Sequence, residues 1–202
     1  MILQDAILKK VIKFRRLVGF EGQENSVHER LYASESIELL IAESHAEKAD
    51  ALADMAVVMA GHYLNGYPFY NFERAIKGLE NQAILNNVNL LAAFDIVMIS
   101  NMSKVCLEAD KDATTQKYLS EGVRLHWVDR DGQSACYSAE EYPDKPKGKL
   151  LKPVTYKKPD WSVSGWKILP INEHWNLAGS LPPTNTALKI KLLDGQIVDG
   201  IR

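Results

Sequence analysis

The sequence predicts a mainly α-helical fold: a helical bundle completed by oligomerisation, with a β-hairpin insertion and a small C-terminal β appendage. Three observations predict it. Apolar residues recur at helical spacing through residues 1–122. The spacing then changes to alternation, Val123-Arg-Leu-His-Trp-Val128, ahead of an Asp131-Gly132 turn. From Trp161 the composition shifts to clustered tryptophans and a Leu181-Pro-Pro183 breaker. The expected division is a helical core at 1–122, a hairpin and Lys/Pro-rich arm of the same domain at 123–160, and a β appendage at 161–202.

Each element has a local reason. Ile7, Leu8, Val11, Ile12, Phe14, Leu17 and Val18 alternate with Lys9, Lys10, Lys13, Arg15 and Arg16, an amphipathic helix from Asp5 to Val18 that stops near Gly19. Asn25 and Ser26 can cap a second helix, Val27 to Glu43. Ser44 can cap a third, with Glu47 at the N3 position of a capping box, running to Leu64 before Asn65-Gly66-Tyr67-Pro68. Asn71 to Asn101 is again helical in pattern, with Gly78 and Asn86-Asn87 as weak points. Asp110 to Ser120 is a shorter helix closed by Gly122. Gln133 to Tyr137 returns the first hairpin, and Ala187 to Ile201 forms a second around Asp194-Gly195. Apolar residues Leu39, Leu40, Ile41, Met55, Val57, Val58 and Met59 cover more than one helix face, which predicts a homo-oligomer, a dimer or a tetramer of paired dimers.

Composition bounds the function. Of 202 residues, 46% are hydrophobic and 25% charged, the balance of a globular protein. A net charge of −2 gives no electrostatic case for nucleic acid or membrane as a partner. No apolar run reaches the roughly 18 residues of a membrane span, and no signal peptide is expected. Cys106 and Cys136 share no metal-ligand spacing and read as reduced thiols, which suits a cytoplasmic protein.

The chemistry gathers between Glu35 and Asp54. Glu35 and Glu38 are i, i+3; Glu47, Asp50 and Asp54 are i, i+3, i+7, so each set shares a helix face. If the two helices fold back at Glu43-Ser44-His45, the acidic faces meet. Close carboxylates repel unless a cation lies between them, and hard cations such as Mg²⁺ take such oxygen ligands. Asp50 and Asp54 sit in an otherwise apolar run, where a carboxylate needs a partner or a metal. Solvated helix faces are also acidic, and Glu47 can serve as a cap rather than a ligand.

Glu35-x-x-Glu38 followed by Asp50-Ala-Leu-Ala-Asp54 resembles the metal-binding signature of the all-α nucleoside triphosphate pyrophosphohydrolases, the MazG-like and phosphoribosyl-ATP pyrophosphohydrolase superfamily. Ser100-Asn-Met-Ser-Lys104, Gly148-Lys-Leu-Leu-Lys152 and Tyr156-Lys-Lys-Pro-Asp160 resemble, in order, the later elements of its phage and bacterial branch. The resemblance covers residues 1–160. It implies hydrolysis of (d)NTP to (d)NMP and pyrophosphate by metal-activated water, with Mg²⁺ or Mn²⁺ in its place. It implies Glu35, Glu38, Asp50 and Asp54 as metal ligands, Asn101 and Lys104 near the phosphates, and Lys152 and Tyr156 on a closing arm. It also implies the cytoplasm of a cell, or of the host if the chain is phage-encoded. The family's first Glu of a Glu-Glu pair is Ser34 here, and the Glu of its Glu-x-x-Asp is Ala51. Asp50 or Glu47 must compensate, and Glu35 and Glu38 both remain candidates for the base that activates water. Two alternatives stand beside this reading: the same site acting on phosphoribosyl-ATP or a modified nucleotide, and a non-catalytic helical interaction protein.

Overall fold

The buried stripe Ile7, Val11, Phe14, Leu17 and Val18 seats helix α1 (Leu3–Val18) against the rest of the bundle. This is a computed structural model, and it describes residues 3–20, 25–66, 71–168, 188–191 and 197–200. The chain divides into two units, Met1–Ile168 and Leu169–Arg202.

In the first unit α3 (His45–Leu64) is the central rod. It packs against α1, α2 (Asn25–Ile41), α4 (Phe72–Leu85) and α5 (Leu90–Met102). Its alanines Ala49, Ala53, Ala56 and Ala60 are fully buried, and small side chains let four neighbours approach one axis. The capping box expected at its start is present: Ser44 Oγ accepts from the Glu47 N–H, and Glu47 Oε2 accepts from the Ser44 N–H. At Gly61 an added Cβ would lie 2.7 Å from His28 Nε2 and 2.8 Å from Arg15 Nη1. Glycine is what lets the Arg15–His28 hydrogen bond, 2.9 Å long, cross this helix.

The helical pattern from Asn71 to Asn101 breaks in two at its Asn86-Asn87 weak point. Asn87 takes a left-handed φ of 56°, which asparagine tolerates better than most residues. Asn89 then caps α5, its Oδ1 accepting from the Ala92 N–H. Gly78 interrupts nothing.

After α5 come strand β1 (Val105–Cys106), a 3-10 turn at Glu108–Asp110 and α6 (Lys111–Ser120). The expected hairpin is β2 (Leu125–Arg130) with β3 (Gln133–Ser138), turning through Asp131 (φ 51°) and Gly132 (φ 73°). Both central residues have positive φ, which matches the right-handed strand twist. The sheet order is β1-β3-β2, all antiparallel. The Tyr137 hydroxyl donates to the Val18 carbonyl and joins sheet to bundle. Cys106 and Cys136 are buried free thiols.

The segment from Trp161 to Ile168, expected in the appendage, belongs to the first unit. Trp166 is 3% exposed and part of the bundle core. Its carbonyl accepts from the Asn89 N–H (2.7 Å), and the Ile168 N–H donates to the Asn87 carbonyl (2.8 Å). Its ring packs 5.1 Å from His45, whose Nε2 faces the Asn86 and Asn87 carbonyls and so carries the proton. The aromatic cluster thus fills the gap beside the α4–α5 break instead of making a core of its own. In the second unit β4 (Leu188–Lys191) and β5 (Ile197–Gly200) pair antiparallel. Trp175, Leu181-Pro-Pro183 and Asp194-Gly195 lie outside the described residues. Among the described residues no helix is long and apolar enough to cross a membrane.

Candidate functional site

The short connection after Ile41 folds α2 back along α3 and brings the two acidic rows together. Glu35, on α2, is pushed up to about 8, first by burial and then by the charges of Asp54, Glu38 and Asp50. Asp50 is pushed up to about 6, again by burial first and then by Asp54 and Glu38. Asp54 is also raised by its burial. Burial is the main cause in all three, and the repulsion added to it at Glu35 and Asp50 is what carboxylates sharing one space experience. Glu38 is the exposed member. Glu47 is committed differently: its Oε2 accepts from the N–H groups of both Glu43 and Ser44, which hold its carboxyl below the usual range.

Cations reach the acids from distant parts of the chain. Lys104 follows the end of α5, and its Nζ donates to Asn101 Oδ1 at 2.6 Å. The buried Asn101 side chain also lies beside Asp54 and counters the rise that burial imposes on its carboxyl. Asn101 is thereby a clip between the Lys104 ammonium and the Asp54 carboxylate. Burial lowers Lys104, and the neighbouring Asp54 pulls it back up. Burial penalises both charges, while their attraction offsets part of that cost. Lys152 is close enough for its charge to oppose the rise at Asp50 and Asp54.

The arm that carries Lys152 is fastened to the bundle. The Lys152 ammonium stands over the Tyr156 ring, 4.6 Å from its centre. Tyr156 Oη accepts from Ser100 Oγ at 3.1 Å, and the Lys157 N–H donates to Ser103 Oγ at 2.9 Å. The Tyr118 hydroxyl donates to the Lys152 carbonyl at 3.0 Å. These contacts hold the Leu150–Lys158 stretch against the ends of α5 and α6.

A cavity of about 710 Å³ opens beside these groups. Arg30, Glu35, Asp54, Asn101 and Lys104 form its polar wall, and Phe14, Phe20, Leu31, Val57 and Val58 its apolar wall. Pro146 to Leu150 of the arm completes it. A second recess of about 290 Å³ is lined by Glu38, Glu43, Glu47 and Asp50. The apolar wall was not legible in the sequence. Phe14 read there only as part of the apolar face of the first helix, and nothing local ties α1 to an arm more than a hundred residues away.

The donor set suits a hard divalent cation. Asp50 Oδ1 is buried with no hydrogen-bond partner, and three nearby carboxyls are raised by burial with their charges crowded. An oxygen-seeking cation satisfies both conditions. Among the described residues no group of three or more His, Cys, Asp or Glu side chains already stands at metal-holding spacing. Comparison with protein-family models, with curated proteins and with solved structures found no match.

Proposed function

We propose that this chain is a Mg²⁺-dependent nucleoside triphosphate pyrophosphohydrolase. The observation that carries the reading is the single cavity wall formed by Glu35, Asp54, Asn101 and Lys104, which come from α2, α3 and the end of α5. Those are the residue types that polyphosphate hydrolysis requires. Mg²⁺, held by Glu35, Glu38, Asp50 and Asp54, supplies charge neutralisation on the phosphates and a Lewis acid for water.

The chain's own groups then have distinct tasks. Lys104 pairs with phosphate oxygens and balances the charge that develops on the departing pyrophosphate. Asn101 keeps the Lys104 Nζ and the Asp54 carboxylate at fixed positions, so neither must reorganise as charge moves. Glu35 or Glu38 accepts the proton of the attacking water as the bond between the α and β phosphates breaks, giving NMP and pyrophosphate. Lys152, backed by the Tyr156 ring, adds positive potential from the arm. The apolar wall at Phe20 and Leu31 excludes water and strengthens these charges.

Self-association belongs to the same reading. Ile37, Leu40 and Ile41 of α2 are exposed, Leu40 at 83% and Ile41 at 70%, and a second copy covering them gives a dimer or a tetramer. The deciding experiment is a panel of NTPs and dNTPs with Mg²⁺, assayed for pyrophosphate and resolved by chromatography. Phosphoribosyl-ATP and modified nucleotides belong in the panel. Release of (d)NMP with pyrophosphate supports the reading. No turnover of any nucleotide leaves the chain as a helical interaction protein.

A further inference from the structure

The arm's lysines are alike in sequence and unlike in the structure. Lys145 is paired with Asp144 at 2.8 Å and approaches Glu121 at 3.7 Å. Lys149 Nζ donates to the Asp144 carbonyl at 2.9 Å. The Lys152 ammonium is over a tyrosine ring. Lys147 differs from all three. It lines the 710 Å³ cavity, as Lys149 does, but among the described residues no hydrogen bond, ion pair or ring contact engages its ammonium.

The backbone beneath Lys147 is fixed. Pro146 to Lys149 is a turn closed by the Lys149 N–H on the Pro146 carbonyl at 2.9 Å. Gly148, third in the turn, has φ 79°, as a type II turn demands. The Gly148 N–H donates to the Ser138 carbonyl (2.9 Å), the Ser138 N–H to the Lys149 carbonyl (3.0 Å), and the Lys147 N–H to Glu141 Oε2 (2.9 Å). Every N–H of the turn is used, and the turn is pinned to the end of β3. Lys145 and Lys149 tie the same segment through Asp144. Lys147 therefore sits at the corner of a fastened turn with a free charge at a cavity wall.

We propose that Lys147 is a phosphate-binding residue of this cavity, while Lys145 and Lys149 hold the turn that presents it. The inference rests on the pyrophosphohydrolase reading for the identity of the ligand, a nucleoside polyphosphate. The ligand's charge is concentrated on phosphate oxygens, and the carboxylates on the polar wall repel them. The other cations of the wall are already engaged: Lys104 with Asn101 and Asp54, Lys149 with the Asp144 carbonyl, and Arg30 in an interaction of its own, which leaves Lys147 for a phosphate. Because the turn is pinned, little backbone freedom is lost when Lys147 engages a phosphate.

The test compares the parent with Lys147→Gln, Lys147→Arg and Lys158→Gln, the last an exposed arm lysine outside the cavity wall. Two readouts are taken: KM and kcat on the best nucleotide, and the Kd of inorganic tripolyphosphate with Mg²⁺ by calorimetry. Loss of one charge-assisted contact should raise both KM and Kd about tenfold in Lys147→Gln, with kcat within twofold. Lys147→Arg should recover most of the binding, and Lys158→Gln should match the parent. Equal KM and Kd in parent and Lys147→Gln overturn the proposal, as does an equal loss in Lys158→Gln. If the parent cleaves no nucleotide yet binds tripolyphosphate through Lys147, the hydrolase reading fails and the anion contact stands. If the parent binds no tripolyphosphate, the contact itself is refuted.

Discussion

Helices α2 and α3 bring carboxylates to one place and are built in opposite ways. α3 is capped by side chains at its start, touches four other helices and buries most of its apolar residues. α2 rests chiefly on α3 and turns Leu31, Ile37, Leu40 and Ile41 to solvent. The acids of α3 are thus fixed by the core, while Glu35 and Glu38 are fixed by a helix with one main support. The site is half scaffold and half attachment. Geometry at Asp50 and Asp54 should survive perturbations that shift Glu35 and Glu38.

The sharpest way to break the contrast is Asp54→Asn. The amide keeps the shape and still lies beside Asn101, so the fold should stay intact. Pyrophosphate release should fall at least about a hundredfold, since even the outer partners of a metal site are worth that much. The melting temperature should hold or rise, because one crowded charge is gone. Full activity would remove α3 from the site.

Gly61→Ala tests the tight support of α3. The new Cβ would meet His28 Nε2 and Arg15 Nη1 at under 3 Å, and neither is a free chain end. A loss of about 1–3 kcal/mol in urea denaturation is expected. A neutral result would mean that α1 and α2 can slide on α3.

The Glu35 carboxyl allows a test from the α2 side. Its pKa is raised from 4.5 to about 8 on folding, so the folded chain holds a proton that the unfolded chain has released. Stability of the metal-free protein should therefore fall as pH rises through that window and level off above it. Glu35→Gln should flatten the fall and gain about 1 kcal/mol at pH 8, a figure discounted because the half-exposed side chain is screened by water. Mg²⁺ should produce a similar recovery in the parent. Buried His28, lowered to about 4, gives the opposite slope up to its ordinary 6.5, so the decisive range is above it: a melting temperature that rises between pH 7 and 8 would contradict the crowding.

The smallest effect on the protomer is expected at the outer face of α2. Leu40→Asn with Ile41→Asn should change protomer stability by less than about 0.5 kcal/mol, because both side chains are already in water. Light scattering at low micromolar concentration should nonetheless report a smaller particle. An unchanged monomer in both proteins would leave α2 without a covering copy.

Much of this contrast was legible before any coordinates. The start of α3 could be read because Ser44 and Glu47 interact across three residues, within the reach of a local pattern. The acid rows could be read because helical spacing fixes which residues share a face. What could not be read depends on chain segments that meet only after folding. Val88 forms a β-bridge with Lys167, and no spacing rule links them. The strap from Trp161 to Ile168 looked like the start of another unit because its composition changes there, yet it fills the bundle's gap. Lys147 and Lys149 are indistinguishable on the page of sequence; their difference is made by where Asp144 and the Gly148 turn fall.

That strap also sets how short the chain can be made. A chain ending at Asp160 would keep every proposed ligand and still lose the aromatic plug beside the α4–α5 break. The Asn89 N–H would lose its partner and the Asn87 carbonyl one of its two, and His45, at the first turn of α3, would lose the ring it packs on. The damage would pass along α3 to Asp50 and along α5 to Asn101. A chain ending at Ile168 loses none of this. The minimal intact fold is therefore set eight residues beyond the last recognisable motif, by a tryptophan outside the proposed ligand set.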